Sequence, residues 1–186
     1  SMNDSISRMT QYFPGSNLIP LLLPRGQNGT RYHLGSDFAS SRYLRVILNK
    51  KITNKIFREV DFPLYEYVIS DGEDAEPTFM VPVIPYAVFL NKTAPATGWK
   101  IDLVAREWND VYNYVINKID GKKYSKMDSC STDYAGEIEE DDKSVIYNGV
   151  YEVKGFDVYV TEMPLRKDIS KIVNTWNSSD EVISVN

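Results

Sequence analysis

Arg42 and Tyr43 stand side by side near the end of a glycine- and serine-rich stretch, Gly26 to Val46, and a further arginine, Arg45, follows two residues later. A stretch that only connects two elements seldom needs this combination of side chains. A tyrosine hydroxyl can act as a nucleophile, and a neighbouring guanidinium can bind the oxygens of a phosphate. The pair is therefore a candidate nucleophile with an attached cation. The alternative is that Tyr43 packs at a strand edge and Arg42 merely touches phosphate.

The chemistry of such a pair follows from its two functional groups. A phenol has an ordinary pKa near 10 and is mostly protonated at neutral pH, so a nucleophilic tyrosine needs assistance. The guanidinium of Arg42 stays charged, and its planar fork can hold the non-bridging oxygens of a phosphodiester as charge builds on them. If the substrate were a phosphodiester, attack by Tyr43 would exchange one phosphodiester for another with little net change in energy, so the reaction would reverse readily.

The charge of the chain is unevenly distributed. The net charge is −5, yet residues 1 to 60 carry nine Lys/Arg against three Asp/Glu, a balance of +6, and residues 61 to 186 carry twelve against twenty-three, a balance of −11. Electrostatic attraction is local and is screened beyond roughly 8–10 Å, so the basic part can bind a polyphosphate although the whole chain is acidic. The alternative is an ordinary solvated basic face.

Several classes of protein are disfavoured by composition. Cys130 and His33 are the only cysteine and histidine, so the sequence predicts neither an internal disulfide nor a zinc cluster. The apolar runs are much shorter than a membrane span, and no secretion signal is present. We therefore expect an intracellular protein without membrane contact. The acidic stretch from Ser70 to Glu76 lacks the twelve-residue calcium-loop pattern and is interpreted as a solvated loop.

Spacing of apolar residues predicts the elements that would position the Arg-Tyr pair. A short amphipathic helix is predicted from Asn3 to Phe13, then an apolar strand from Ile19 to Leu23, then a basic hairpin that contains Gly26, Gly29 and Gly35. This order is typical of a winged-helix unit, in which a helix enters a groove of DNA and the hairpin, or wing, flanks it.

The second half predicts helices together with antiparallel strands. Helical spacing runs from an N-cap at Asp102 to Gly121, and a last helix is predicted from about Asp168 to Trp176. Residues 125–143 are interpreted as an acidic linker. Three strands are predicted over 145–147, 150–153 and 158–162, with hairpin turns at 148–149 and 154–155. The fold class is therefore predicted as α+β.

A series of short motifs extends this interpretation. In chain order they are Gln11-x-Phe13-x-Gly15-Ser16-Asn17, Leu21-Leu22-Leu23-Pro24, Gly26-Gln27-x-Gly29-Thr30-Arg31, Gly35-x-Asp37-x-Ala39-Ser40-x-Arg42-Tyr43, Glu76-Pro77, Pro82-x-Ile84-Pro85, Leu90-Asn91, Thr97-Gly98-Trp99 and Thr161-Glu162-Met163-Pro164. Together they resemble the segment around the breakage-and-reunion tyrosine of type IIA DNA topoisomerases. The resemblance covers essentially the whole chain, is strongest over residues 10 to 100, and favours the members encoded by large DNA viruses, such as that of African swine fever virus.

The resemblance implies a piece of a larger enzyme. Residues 1–95 would be the last part of a winged-helix DNA-binding domain, and residues 96–186 the start of the tower domain. The whole enzyme would be an ATP-driven, magnesium-dependent homodimer that cuts double-stranded DNA through a 5′-phosphotyrosyl link, passes a second duplex and religates. ATP and Mg²⁺ would bind parts absent from this chain, which would be inactive alone. A viral enzyme would work in the host cytoplasm, and a cellular one in the nucleus.

The resemblance also implies roles for particular residues. Tyr43 and Arg42 would be catalytic, and Pro95 would intercalate into DNA where the family usually has isoleucine. The residues expected to contact DNA are Arg8, Gln11, Arg31, His33, Arg45, Lys50 and Lys51, and no metal ligand is expected. The sequence departs from the family pattern at Asn28, Leu34, Ser36 and Ser41. These departures leave the Arg-Tyr chemistry intact, but the family's path of the wing and one of its phosphate contacts do not carry over with the pattern. The alternatives are a non-catalytic winged-helix DNA-binding or scaffolding module and an acidic protein-interaction module.

Overall fold

The computed structural model describes residues 2–185, which form four α-helices and ten β-strands paired as five antiparallel two-stranded sheets. The helices are α1 (Met2–Met9), α2 (Lys50–Ile56), α3 (Trp108–Ile119) and α4 (Ile169–Asn177). The strands are β1 (Leu22–Arg25), β2 (Arg45–Leu48), β3 (Tyr67–Ser70), β4 (Glu73–Pro77), β5 (Lys92–Ala96), β6 (Trp99–Leu103), β7 (Glu137–Glu140), β8 (Val145–Asn148), β9 (Val150–Lys154) and β10 (Asp157–Glu162). This mixture of helices and antiparallel strands confirms the α+β class. None of the described helices is long and apolar enough to cross a membrane.

Helix α1 is shorter than its apolar spacing predicts, because it ends at Met9 and not at Phe13. The side chain of Thr10 donates to the carbonyl of Ser7 at 2.7 Å, and the side chain of Asn17 donates to that of Arg8 at 2.9 Å. These side chains satisfy carbonyls that another helical turn would otherwise use. The helix therefore stops before the chain turns toward β1.

Strands β1 and β2 bring the two ends of the Arg-Tyr loop together. Leu22 pairs with Leu48, and the register continues to Arg25 opposite Arg45. Residues 26–44 lie between the strands and contain short 3-10 turns at Arg31–His33 and Ser41–Tyr43. The predicted basic hairpin is therefore an antiparallel pair with a long, structured connection (residues 26–44), which we call the cleavage loop after the reaction that the motif resemblance implies for it.

Helix α3 begins later than predicted. Its N-cap is Glu107, whose carboxylate accepts hydrogen bonds from the backbone N–H groups of Asn109 and Asp110 at 2.5 and 3.1 Å. Asp102 was the predicted N-cap, but it lies in β6 opposite Thr93 of β5. The prediction was wrong because the β5–β6 hairpin takes up the residues ahead of the helix.

Two acidic stretches that were predicted as a loop and a linker form β-strands in the structure. Residues 137–140 form β7 and pair with β8, so the predicted linker over 125–143 is partly a strand. Asp71 and Gly72 have φ angles of 53° and 85°, the conformation of a tight hairpin turn, and they join β3 to β4 in place of the predicted loop. The hairpin between β9 and β10 is confirmed, although its turn lies at residues 155–156 and not at 154–155. Residues 148–149, the other predicted turn, connect two different sheets.

The main hydrophobic core joins the two halves of the chain. Phe89, Ile84 and Val111 of α3 are buried together, and the Phe89 ring stacks on Trp108 with ring centroids 5.0 Å apart. Residues before and after position 95 thus share one core. The division into a domain over 1–95 and another over 96–186 stays a prediction.

A partly buried ion pair holds the strand β7 against the residues that precede α3. The guanidinium of Arg106 binds both carboxylate oxygens of Glu140, one of them through Nη2 at 2.7 Å. The hydrogen bonds from Arg106, helped by Ser129 and opposed by burial, lower the pKa of Glu140 to about 2. The carboxylate is therefore much more stable ionised in the folded chain than in the unfolded one.

We expect Glu140→Gln to lower the free energy of unfolding by about 3 kcal/mol at pH 7, because it leaves the Arg106 charge unpaired. A carboxyl with a lowered pKa stabilises the fold above its unfolded pKa, near 4.3, and loses this contribution as pH falls toward 2. Urea unfolding at several pH values should therefore show the difference from wild type vanishing near pH 2. Glu152→Gln, on an exposed strand, is the control and should stay within about 0.5 kcal/mol at every pH.

Candidate active site

Tyr43 lies in the 3-10 turn at the end of the cleavage loop, with its side chain 68% exposed. Its backbone N–H donates to the carbonyl of Ser40 at 2.8 Å, and the side chain of Asn3 in α1 donates to the hydroxyl of Ser41 at 3.2 Å. The ring is therefore presented to solvent on a turn that the backbone and α1 both hold. This position does not match the alternative in which Tyr43 packs at a strand edge.

Arg42 lies beside the ring of Tyr43. The central carbon of its guanidinium is 4.9 Å from the ring centroid, within the distance of a cation–π contact. Among residues 2–185, no ion pair involves Arg42. Within the described residues, a permanent cation without a carboxylate partner thus accompanies the exposed phenol.

Gln11 holds the cleavage loop from inside the fold. Its side chain is buried, and its amide nitrogen donates to the carbonyls of Asn28 and Gly35, each at 2.8 Å. These two carbonyls lie outside the β-strands, and buried carbonyls need hydrogen-bond donors. The Gln11 amide supplies the hydrogen bonds that a neighbouring strand would supply in a sheet. The structure places Gln11 under the loop and away from solvent, and its expected contact with DNA stays a prediction.

Asp37 fixes the opposite side of the loop. Its carboxylate accepts hydrogen bonds from the backbone N–H and the hydroxyl of Thr30, both at 2.7 Å, and from the side chain of Gln27 at 3.2 Å. Burial raises the pKa of Asp37, but the hydrogen bonds from Thr30 outweigh it, so the pKa is lowered overall. Sequence analysis did not assign Asp37 a role, although its place in the Gly35-x-Asp37 motif was visible.

Substitution of Gly35 should disturb the loop more than substitution of a free turn glycine. Gly35 has a φ of 69°, and a Cβ there would overlap the carboxamide of Gln11. Gly98 has a similar φ of 77°, but a Cβ there would meet nothing within 4 Å. We expect Gly35→Ala to cost about 2–3 kcal/mol of unfolding free energy and Gly98→Ala about 1 kcal/mol. Urea unfolding of both variants measures the difference, and equal losses would contradict the role of Gln11.

Arg25 and Arg45 concentrate positive charge where the cleavage loop begins and ends. They are directly opposite each other in the β1–β2 register, and both are exposed. Like charges opposite each other destabilise a strand pair unless an anion lies between them. A Cβ on Gly26 would lie 3.3 Å from the carbonyl oxygen of Tyr43, so this pair adjoins the turn that carries Tyr43. Arg45 was among the residues predicted to contact DNA. Arg25 was not, because its position opposite Arg45 depends on the strand pairing.

The other expected DNA-binding residues occupy different positions. Arg8 is exposed on α1, and Lys50 and Lys51 are exposed in the first turn of α2. Cations there oppose the helix dipole, so these lysines do not stabilise the helix.

Two other expected DNA-binding residues are less accessible. His33 is half-buried and contacts the ring of Tyr32 edge-on, with centroids 4.9 Å apart. Arg31 is half-buried and pairs with Glu162 at 2.5 Å. Arg31 is therefore neutralised within the chain, unlike Arg42.

Pro95 lies near the tip of an exposed hairpin. It pairs with Lys100 in the β5–β6 register, and Trp99, which pairs with Ala96 at the tip, is 83% exposed. An edge strand tolerates proline because its missing N–H faces solvent. The hairpin tip thus presents an apolar, rigid surface next to a lysine.

The described residues do not assemble a metal centre. Over residues 2–185 no group of three or more His, Cys, Asp or Glu could hold a metal ion. The turn that carries Tyr43 contributes a phenol and hydroxyls, which are weak ligands for a divalent cation, and a guanidinium, which is itself a cation.

Comparison with known proteins places the chain in a family. Residues 1–182 match the family described as the A-type subunit of DNA gyrase/topoisomerase IV. The chain is 29% identical to the mitochondrial DNA topoisomerase 2 of Dictyostelium discoideum over 99% of its length. It is 38% identical over 64% of its length to the DNA topoisomerase 2 of African swine fever virus. It spans 15% and 10% of these two relatives, respectively.

The structural comparison agrees. The chain superposes with a TM-score of 0.85 on a crystal structure of the Plasmodium falciparum topoisomerase II DNA-binding, cleavage and re-ligation domain, at 28% sequence identity. The match covers 96% of this chain and 25% of that structure. Both comparisons agree with the resemblance seen in the short motifs, and a viral relative is among the matches. The chain therefore belongs to the DNA gyrase/topoisomerase IV family of type II DNA topoisomerases.

Proposed function

We propose that the chain is the cleavage segment of a type II DNA topoisomerase and that Tyr43 is the nucleophile that opens the DNA backbone. The single observation that supports this most is the exposed phenol of Tyr43 beside the unpaired guanidinium of Arg42 on a firmly held loop. Family membership supplies the reaction class. Exposure of Tyr43 alone would not indicate a nucleophile.

The proposed reaction is a reversible transesterification. The hydroxyl oxygen of Tyr43 attacks a backbone phosphorus and forms a phosphotyrosyl bond to the DNA 5′ end, while the bond from phosphorus to the 3′ oxygen breaks. The phenolic proton is lost, and the departing 3′ oxygen takes up a proton. Arg42 holds non-bridging oxygens as negative charge builds on them. Religation is the same step in reverse, because one phosphodiester replaces another.

ATP and Mg²⁺ belong to the proposed whole enzyme and not to the described residues. No group of three or more potential metal ligands comes together within residues 2–185, so the donor set here does not fit a divalent cation. We assign the metal and nucleotide sites to other parts of the complete polypeptide. The part played by residues of this chain is to bind, orient and attack.

The finer domain assignment is also a proposal. Residues 1–95 would complete a winged-helix domain, with α1 near the DNA and the cleavage loop as its wing, and residues 96–186 would begin the tower. The order of helix, strand, long basic loop and strand supports the first part. The separate hairpins that follow α3 support the second.

The exposed surface supports a place in a larger assembly. The chain exposes 13455 Å², whereas a compact monomer of this size exposes roughly 9,000 Å². One face of the β9–β10 hairpin carries the exposed apolar residues Tyr151, Val153, Val158 and Val160. We propose that other parts of a homodimeric enzyme cover such surfaces. The site of action, host cytoplasm or nucleus, depends on whether that enzyme is viral or cellular.

Pro95 is the proposed wedge that enters the base stack. Its place near the tip of an exposed hairpin and its rigid ring suit insertion between bases. We expect Pro95→Ala to reduce the bend of bound DNA, as measured by energy transfer between dyes at the ends of a short duplex. An unchanged bend angle would make Pro95 an ordinary turn-proximal proline.

The function is tested with the complete polypeptide and supercoiled circular DNA. The proposal predicts relaxation that requires ATP and changes the linking number in even steps, because each cycle passes a duplex through a double-strand break. A non-catalytic winged-helix or scaffolding module would bind the DNA without changing its linking number. Affinity that does not fall with salt would instead favour an acidic protein-interaction module.

A further inference from the structure

Arg31 and Glu162 form a contact that joins the cleavage loop to the distal part of the chain. Nη2 of Arg31 lies 2.5 Å from Oε1 of Glu162 and donates to the carbonyl of Met163 at 2.6 Å. The Glu162 side chain is only 7% exposed, and its second oxygen accepts from the backbone N–H of Ala135 at 3.0 Å. The carboxylate is therefore fixed from both sides.

The contacts with Glu162 and with the Met163 carbonyl involve only Nη2 of Arg31. An arginine has five N–H donors, two of them on Nη2. The Met163 carbonyl accepts from Nη2, and Oε1 of Glu162 lies against Nη2 as an ion pair without accepting a hydrogen bond, so the donors on Nε and Nη1 remain. The side chain keeps 23% exposure. Arg31 is thus held in one orientation with part of its fork open to a phosphate.

Arg31 is connected to the nucleophile through the cleavage loop itself. Thr30, the preceding residue, is bound by Asp37, and Gly35 donates to the Thr30 carbonyl at 2.7 Å. Ala39 then donates to the carbonyl of Gln27 at 3.0 Å, next to the turn that carries Tyr43. A shift of Arg31 would therefore be passed along hydrogen bonds to that turn. Helix α4 also packs against the turn Arg31–His33.

We propose that Glu162 is a positioning residue for DNA cleavage, which acts by orienting Arg31 and, through the loop, the turn of Tyr43. This inference rests on the proposed function. Glu162 carries no chemistry of its own, since a buried carboxylate repels phosphate. Its negative charge also weakens the attraction of Arg31 for DNA. Glu162 would therefore lower the affinity for DNA while it fixes the orientation of the Arg31 side chain.

We therefore expect Glu162→Gln in the complete polypeptide to change DNA affinity and the rate of adduct formation in opposite directions. The variant removes a negative charge, so DNA should bind at least as tightly as to wild type, with a salt dependence steeper by up to about one counterion. The rate of covalent adduct formation at saturating DNA should nevertheless fall at least about 10-fold, because Arg31 is no longer oriented. Glu152→Gln, an exposed glutamate on β9, is the matched control and should leave both quantities unchanged.

Arg31→Lys provides a second variant that keeps the positive charge and a partner for Glu162. It should bind DNA with the wild-type salt dependence, yet form adducts at least about 10-fold more slowly, because lysine lacks the planar fork. Combining it with Glu162→Gln should add little to either loss, since both act on one contact.

The outcomes are distinct. A wild-type adduct rate in Glu162→Gln or in Arg31→Lys overturns the inference. Loss of DNA affinity in step with the adduct rate, together with a lower thermal midpoint, assigns Glu162 a purely structural role and also overturns it. If wild-type protein forms no adduct, or Tyr43→Phe still forms one, it is the proposed function that fails.

Discussion

Tyr43→Phe should abolish covalent attachment to DNA, with adduct formation at least about 10⁴-fold slower than in wild type. The substitution removes only the nucleophilic oxygen, and the exposed ring on the 3-10 turn can keep its place beside Arg42. DNA affinity should stay within about fivefold, because a single neutral hydroxyl contributes little to binding. The measurement is the fraction of end-labelled DNA that remains bound to the complete polypeptide after denaturation with detergent.

Tyr32→Phe is the matched control for this substitution. Tyr32 is another exposed tyrosine of the cleavage loop, in the turn Arg31–His33. Its hydroxyl has no role in the proposed reaction, so the variant should form adducts at the wild-type rate. Adducts that persist in Tyr43→Phe and disappear in Tyr32→Phe would move the nucleophile to the other turn.

Arg42→Lys should slow cleavage by about 100-fold while DNA affinity changes little. Lysine keeps the charge, so attraction to the phosphate backbone persists. It loses the planar fork that holds two oxygens of the reacting phosphate, and this interaction strengthens only as charge develops. Single-turnover adduct formation at saturating DNA separates the two effects, because it is insensitive to affinity.

Arg58→Lys serves as the control for Arg42. Arg58 is exposed and pairs with Asp61 at 3.5 Å, outside the cleavage loop. The same chemical change there should leave the rate unaltered. A wild-type rate for Arg42→Lys would reduce Arg42 to an electrostatic contact and would leave Tyr43 without its proposed partner.

Local motifs were sufficient to select the candidate site, whose role stays a proposal. The Arg42-Tyr43 pair and the glycine-rich loop are contiguous in sequence, so their types and order could be interpreted without knowing the fold. Helix α4 was also predicted, because Asp168 caps it and its side chain accepts from the backbone N–H of Lys171. Such features depend on a few neighbouring residues.

Features that depend on distant partners were missed. Arg25 acquires meaning only through its register with Arg45, and Glu162 only through its contact with Arg31, which is far away in sequence. The hydrogen bonds from Gln11 to the carbonyls of the cleavage loop were likewise not predicted, and its expected contact with DNA stays a prediction. Strand β7 was hidden because acidic residues disfavour strands unless a partner such as Arg106 neutralises them.

The central claim is that the Tyr43 oxygen itself becomes bonded to DNA, and the most direct test is to identify that bond. The complete polypeptide would be trapped on DNA with detergent, digested with nuclease and protease, and the nucleotide-bearing peptide sequenced by mass spectrometry. The account predicts a single modified peptide with a 5′-phosphotyrosyl link at Tyr43. A nucleotide on any other residue, or a link to the 3′ end, would contradict it.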